Sequence, residues 1–326
     1  MDFRSKISND KPLVTIGVLS YNYSAYVIDT LNSIFEQSYD NIQLFIIDDF
    51  STDNSVALIN DWLEEKNINC QFIIHEKNYG RNRACNTIIS RAEGKYIALF
   101  SSDDIMLPLR IEALVNEMEN VNDEYAVCYT DAELMNEHGE YRGLYSKRHN
   151  LQFLEGDVFE EYYKRRFVIC APAIFFRKNI FKIIGQYDEK VTIEDYEMWM
   201  RLLPNFKVKY CDYVGIKYRI KENFVMSATE TLTDRRTYHR NRIYIYCKLF
   251  KQLTGQDKWL AIRNDLVIKI NYHLIHLKGL SVGDFWRIVL YLIRHSFYNF
   301  SVVKILKLEV KALIDVYKSN LVPANN

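Results

Sequence analysis

Hydrophobic and polar positions alternate between two periods over the first 130 residues. The run PLVTIGVLSYN (12–22) is apolar and β-rich, shows no in/out alternation, and ends on polar turn residues. Ser24 is placed to cap the next segment, where Val27, Leu31, Ile34 and Phe35 recur at helical spacing. NIQLFIIDDFSTDNS (41–55) repeats the plan: a buried run from Leu44 to Ile47 stops at Asp48 and Asp49, and a Ser/Thr/Asp cluster precedes a helix carrying Val56, Ile59 and Leu63. QFIIH (71–75) predicts a third strand, residues 82–92 a helix, and KYIALFS (95–101) a fourth strand. Pro108 suits the first turn of a helix that buries Ile111, Leu114, Val115 and Met118, and YAVCY (125–129) predicts a fifth strand.

Strands without alternation, separated by helices, predict an α/β fold: a Rossmann-like, mostly parallel sheet with helices on both faces. Ligands bind such sheets beyond the carboxyl ends of the strands. Tyr21 and Asn22, Asp48 and Asp49, and Asp103 and Asp104 all fall at that edge. Residues 132–190 are less regular, with a strand-like FVICAPAIFF (167–176) and a short helix near 179–184. IEDYEMWMRLL (193–203) reads as a helix with Trp199, Leu202 and Leu203 inward, and VKYCDYVGIKYRI (208–220) as one or two strands. From about 231 the pattern is helical, so the expected division is a catalytic domain over 1–230 and a helical region over 231–326.

Charge sharpens that division. The chain carries 42 basic and 42 acidic side chains, a net of zero. Residues 231–326 hold 16 Lys and Arg against 6 Asp and Glu, which leaves 26 against 36 for residues 1–230. A segment such as FWRIVLYLIRHSFYNFSVVKILKLEVKALIDVY (285–317) combines apolar periodicity with spaced cations. It suits either an anionic membrane surface or packing with a solvated positive face. No nucleic-acid motif accompanies the charge, so nucleic acid is not an expected partner. Six cysteines without any CxxC pair read as buried reduced thiols. With a polar N-terminus and no apolar run of spanning length, the expected location is cytoplasmic, with peripheral contact at the inner face of the membrane.

The stretch ALFSSDDIMLP (98–108) carries the first chemical signal, an apolar run that ends in two adjacent carboxylates. Taken alone, such pairs form turns or cap helices. Two pairs at one sheet edge would repel unless a cation sits between them. Mg²⁺ and Mn²⁺ commonly take one or two carboxylates plus substrate phosphates, so a metal-bound diphosphate is a sensible occupant.

The order of VTIGVLSYN, LFIIDDFSTDNS, NYGRNRACN, AEGKYIALFSSDD, IMLP, IGQYDE and IEDYEMWMRL resembles the family 2 glycosyltransferases, which have the GT-A fold, over about residues 12–220. The resemblance implies a nucleotide-sugar donor, usually a UDP-sugar, lying across the strand ends. Tyr21 would stack on the base, Asp49 would accept from the uracil ring N–H, and Asp103 would contact the donor. Asp103 and Asp104 would hold Mn²⁺ or Mg²⁺ on the diphosphate. Asp195 would be the general base of an inverting transfer to a saccharide or lipid-linked saccharide, with Glu194 and Glu197 as lesser alternatives. Two departures stand out. Ser101 occupies the place of a first aspartate, which leaves open which of Asp103 and Asp104 ligates the metal. Cys85 precedes Asn86 where relatives commonly have arginine, so Arg81 or Arg83 is left to supply a phosphate-facing cation. Cys170–Pro172 and Trp199 are candidates for the acceptor pocket.

Two rivals bear weighing. A nucleotidyltransferase would want a glycine-rich phosphate loop near its start, and residues 12–30 contain only Gly17. A non-catalytic nucleotide-sugar-binding or scaffolding protein gains footing from Ser101 but sits poorly with Asp103, Asp104 and Asp195.

Overall fold

A computed structural model describes residues 11–68, 70–220 and 232–276. The basic stretch 285–317 lies outside the described residues. In chain order the elements begin with β1 (Val14–Ser20), α1 (Val27–Phe35), β2 (Ile42–Asp48), α2 (Ser55–Lys66), β3 (Gln71–Ile74), α3 (Arg81–Arg91) and β4 (Tyr96–Ser101). There follow β5 (Ile105–Met106), α4 (Arg110–Glu119), β6 (Tyr125–Met135), β7 (Tyr141–Leu144), α5 (Tyr145–Arg148) and α6 (Phe159–Tyr163). The remainder are β8 (Ile174–Arg177), α7 (Ile180–Ile184), α8 (Glu194–Leu202), β9 (Lys207–Arg219), α9 (Leu232–Leu253) and α10 (Leu260–His276).

Among the described residues the strands form one nine-stranded sheet in the order β3-β2-β1-β4-β8-β6-β9-β5, with β7 paired to β6. The half containing β3, β2, β1 and β4 is parallel throughout, as the unbroken apolar runs predict. Its register aligns the strand ends, with Ser20 opposite Asp48 and Leu19 opposite Ser101. Polar residues that follow each strand therefore converge on one rim.

The second half is mixed, and here expectation needs correcting. YAVCY is a strand as expected, the start of β6, and β8 stands between it and β4, antiparallel to both. Of the strand-like 167–176 run, only Ile174–Arg177 with its flank is a strand, because Ala171–Ala173 forms a 3-10 turn around Pro172. The 208–220 run is one long strand, paired parallel to β6 with register shifts and antiparallel to β5. Ser24 does not cap α1 through its side chain; its backbone N–H instead donates to Asp53 Oδ2 at 2.9 Å.

Core faces follow the predicted spacing. Ile111, Leu114, Val115 and Met118 of α4 are buried, as are Trp199, Leu202 and Leu203 in and after α8. Gly17 lets α3 approach β1 closely: a Cβ there would stand 2.5 Å from Ile88 Cδ1 of α3. The chain divides into two compact units. The sheet and its helices, α8 included, belong to the first, whereas α9 and α10 belong to the second; Tyr246, Leu249, Phe250, Leu266 and Ile270 on these two helices are buried.

Candidate functional site

The rim after β1 and β2 forms a recess of about 220 Å³ lined by Tyr21, Tyr23, Asp49, Asn78, Gly80, Arg81 and Ser101 among others. Tyr21 is 43% exposed at its mouth. The loop that carries Tyr21 is pinned to the loop after β2. Asn22, with a left-handed φ of 56°, accepts the Thr52 N–H at 2.8 Å, and its own N–H donates to Ser51 Oγ at 2.8 Å. Asparagine tolerates that backbone region better than most residues.

The first acidic pair divides its labour. Asp48 is fully buried and closes its own turn, accepting the Ser51 N–H at 2.7 Å and hydroxyl at 2.6 Å. Asp49 faces the recess. Its Oδ1 meets His75 Nδ1 at 2.6 Å and accepts the Tyr79 N–H at 2.9 Å, while Oδ2 accepts the Gly80 N–H at 2.7 Å. Three protein partners orient the carboxylate, and a carboxylate has about four acceptor positions. Room remains for one further donor, such as a single ring N–H.

An adjoining cleft of about 350 Å³ is lined by Tyr23, Arg81, Ser101, Asp103, Asp104, Ala171, Pro172, Glu194, Asp195, Tyr218, Arg219 and Ile220. Both cavities share Tyr23, Arg81 and Ser101 as walls. Thus Asp103, Asp104 and Asp195 share one cleft, with Asp49 next door.

Asp103 is half-buried in the cleft wall and takes a hydrogen bond from the Tyr23 hydroxyl. Asp104 is 1% exposed. Its Oδ1 accepts the Arg219 N–H at 2.8 Å, and its carbonyl accepts the Thr30 hydroxyl at 2.7 Å. Asp104 Oδ2 is buried without a hydrogen-bond partner. Burial, then the neighbouring Asp103 charge, pushes the Asp104 carboxyl well above its usual range. A buried carboxylate oxygen in that position calls for a proton or a cation. No cluster of three or more His, Cys, Asp or Glu able to hold a metal occurs among the described residues. The pair therefore fits an ion that draws its other oxygens from a ligand, as Mg²⁺ does with phosphates. Asp103 is the more accessible of the two, and Asp104 the more firmly built into the fold.

Across the cleft, Asp195 and Glu194 stand in the first turn of α8. Crowding by surrounding protein raises the Asp195 carboxyl above its ordinary value, and the Arg81 guanidinium only partly opposes this. Glu194 is raised as well, by burial and then by Asp195. It lies 3.8 Å from Arg81 Nε. Both oxygens of Glu197 are engaged by Arg201, whose Nε and Nη2 donate to them at 2.8 Å. Arg81 lines both cavities, whereas Arg83 is an exposed partner of Glu189 at 3.3 Å. Trp199 is core, stacked on Phe176, and of the proposed acceptor residues only Ala171 and Pro172 reach the cleft.

The motifs NYGRNRACN and IGQYDE meet in space. Asn86 donates to the Tyr187 carbonyl and accepts the Tyr187 N–H, both at 2.9 Å, while Asn82 donates to the Asp188 carbonyl at 2.8 Å. Sequence reasoning did not place Tyr23, Tyr218 and Arg219 in the cleft wall, where all three stand. The available signal for Arg219 was a charged residue closing an otherwise strand-like run.

Residues 15–183 match the family described as Glycosyl transferase family 2. The chain is 28% identical over 221 residues to an uncharacterized glycosyltransferase of Methanocaldococcus jannaschii, covering 66% of this chain and 74% of the relative. It is 28% identical over 213 residues to the Escherichia coli UDP-Glc:alpha-D-GlcNAc-diphosphoundecaprenol beta-1,3-glucosyltransferase WfaP, covering 64% and 77% of the two chains. The putative teichuronic acid biosynthesis glycosyltransferase TuaG of Bacillus subtilis is 26% identical over 222 residues, covering 68% and 84%. Among solved structures, S. aureus TarS 1–349 in complex with UDP-GlcNAc superimposes with a TM-score of 0.62 at 15% identity, over 94% of this chain and 89% of that one. The mannosyltransferase PcManGT of Pyrobaculum calidifontis, in complex with GDP-Man and Mn²⁺, gives a TM-score of 0.50 at 15% identity, over 97% and 88%. These likenesses place the fold among the GT-A glycosyltransferases.

Proposed function

Because the chain belongs to glycosyl transferase family 2, we propose that it moves a sugar from a UDP-sugar to a hydroxyl of a saccharide or lipid-linked saccharide, with inversion, in surface-polysaccharide assembly. The observation that carries the reading is the placement of Asp195 in one cleft with Asp103 and Asp104, next to the Asp49 recess. WfaP is named for a UDP-Glc donor and a diphosphoundecaprenol-linked acceptor, and TarS was captured with UDP-GlcNAc; both support this choice of substrates.

In the proposed complex Tyr21 stacks on the base, and the free position on Asp49 accepts its ring N–H. Arg81 faces the diphosphate. Asp103 and Asp104 would hold Mn²⁺ or Mg²⁺, whose charge would offset that growing on the departing diphosphate; the Mn²⁺ of PcManGT supports the choice of ion. Asp195 accepts the acceptor's hydroxyl proton as its oxygen attacks the anomeric carbon from the face opposite the nucleotide. Burial makes Asp195 a stronger base than a solvated aspartate. A lipid-linked acceptor suits a cytoplasmic protein held at the inner membrane face by residues 231–326.

A panel of UDP-, GDP- and dTDP-sugars, assayed for nucleotide release with acceptor, tests the proposal. Asp195→Asn should lower kcat by about 10²–10⁴-fold while UDP affinity stays within a few-fold, and excess EDTA should abolish turnover until Mn²⁺ or Mg²⁺ is restored. Full activity in Asp195→Asn would refute the base, undiminished activity in EDTA would refute the ion, and background release with every donor would point to a protein that only binds.

A further inference from the structure

Arg219 closes β9, and its side chain is nearly buried beneath the acidic pair. We propose that Arg219 is the positioning residue that fixes Asp103 and Asp104 for the donor diphosphate and its cation, acting through their backbone and through the Asp104 carboxylate. The inference rests on the donor reading of the cleft.

The pairing of β5 with β9 explains how the residue arrives there. Ile105 stands opposite Lys217 and Met106 opposite Ile216. Continuing that antiparallel register by two residues sets Asp103 across from Arg219. The Arg219 N–H donates to Asp104 Oδ1, and Nε donates to the Asp103 carbonyl, each at 2.8 Å. Nη1 donates to the Asn136 and Glu137 carbonyls at 3.1 Å, in the turn after β6. The guanidinium carbon lies 4.1 Å from the centre of the Tyr26 ring, just before α1. One planar fork thus braces the acidic loop against the turn after β6 and the entry to α1.

Two consequences follow from the chemistry. A fixed cation behind two adjacent carboxylates reduces the repulsion that would otherwise splay them. The planar fork also spans two groups of carbonyls on different sides, which a lysine's single nitrogen cannot do. Arg219→Lys therefore keeps the charge and removes the brace. A group that merely stabilised the fold would change the melting temperature and leave ligand affinity alone. A positioning group changes affinity for the ion and diphosphate more than the rate at saturation.

Titration calorimetry of the full chain with UDP, with and without Mn²⁺, tests this directly and needs no turnover. Loss of a group that supports metal ligands typically costs about 10–100-fold in affinity. The Arg219→Lys protein is expected to bind UDP in Mn²⁺ about tenfold more weakly, with KM for donor raised by a similar factor and kcat changed less. Unchanged affinity in folded Arg219→Lys overturns the inference. Should that variant not fold, Tyr26→Leu removes the ring and keeps every hydrogen bond; it should weaken binding in the same direction, and unchanged affinity again overturns it. A parent protein that fails to bind UDP with Mn²⁺ instead overturns the donor reading on which the inference rests.

Discussion

A carboxyl raised by burial has two consequences at Asp195, and their signs differ for activity and for stability. As the proposed base it must be ionised to accept a proton, so kcat should fall as pH drops, with an inflection above the ordinary aspartate value of about 3.9. An acid limb at or below that value would remove Asp195 as the titrating group. For stability, the folded chain holds this proton over a pH window in which the unfolded chain has already lost it. Stability contributed by the group therefore falls as pH rises through that window. Asp195→Asn should melt above the parent at neutral pH while losing turnover, and a lower melting temperature would count against a burial cost there. That Asp103, Asp104 and Asp195 stand at strand and helix ends was legible in sequence, because acidic residues there leave a local signature; the structure adds that they line one cleft. The place of Tyr23 and Arg219 in that cleft was not legible, since it rests on contact with Asp103, which lies 116 residues from Arg219.

Elements were read most surely where the apolar runs were continuous. β1, β2, β3 and β4 were all anticipated, because burial on both faces writes itself as an unbroken hydrophobic string. Strand direction is not written that way. An apolar run reads alike in either orientation, so the insertion of β8 between β4 and β6 was invisible. Nor did spacing reveal that Asn86 of α3 would clasp Tyr187, ahead of the helix that bears the proposed base. Helix α3 itself rests on β1 through Gly17. Gly17→Ala would drive a methyl group against Ile88, itself fully buried, and overpacking of this kind costs about 1–3 kcal/mol. Urea unfolding should show that loss, and Ile88→Val, which removes the atom standing 2.5 Å away, should return part of it. Strict additivity of the two substitutions would mean that the contact does not limit the packing.

At the scale of the whole molecule, charge divides more sharply than hydropathy. Residues 1–230 carry ten more acidic than basic side chains, and residues 231–326 ten more basic than acidic. No helix among the described residues is long and apolar enough to cross a membrane. Vesicles containing anionic lipid should therefore float the full chain at low salt and release it as salt screens the attraction. Deleting residues after about 231 should abolish flotation; flotation unchanged by the deletion would rule that region out as the anchor. The α/β class and the helices over the described residues 232–276 were both legible, because composition and period average over many residues. The division of one rim into two adjoining cavities was not, since it depends on how loops from distant strands turn toward each other.

The β5–β9 pairing also bears on how the chain reaches its working state. Closing a contact between residues more than a hundred positions apart is an entropically late event, and topologies dominated by such closures fold slowly. The acidic loop has no brace until the final strand of the sheet slots between β6 and β5. On the proposed reading, nucleotide capture would therefore report the end of folding, and a chain released before β9 is made would emerge with its two aspartates and no competence to use them.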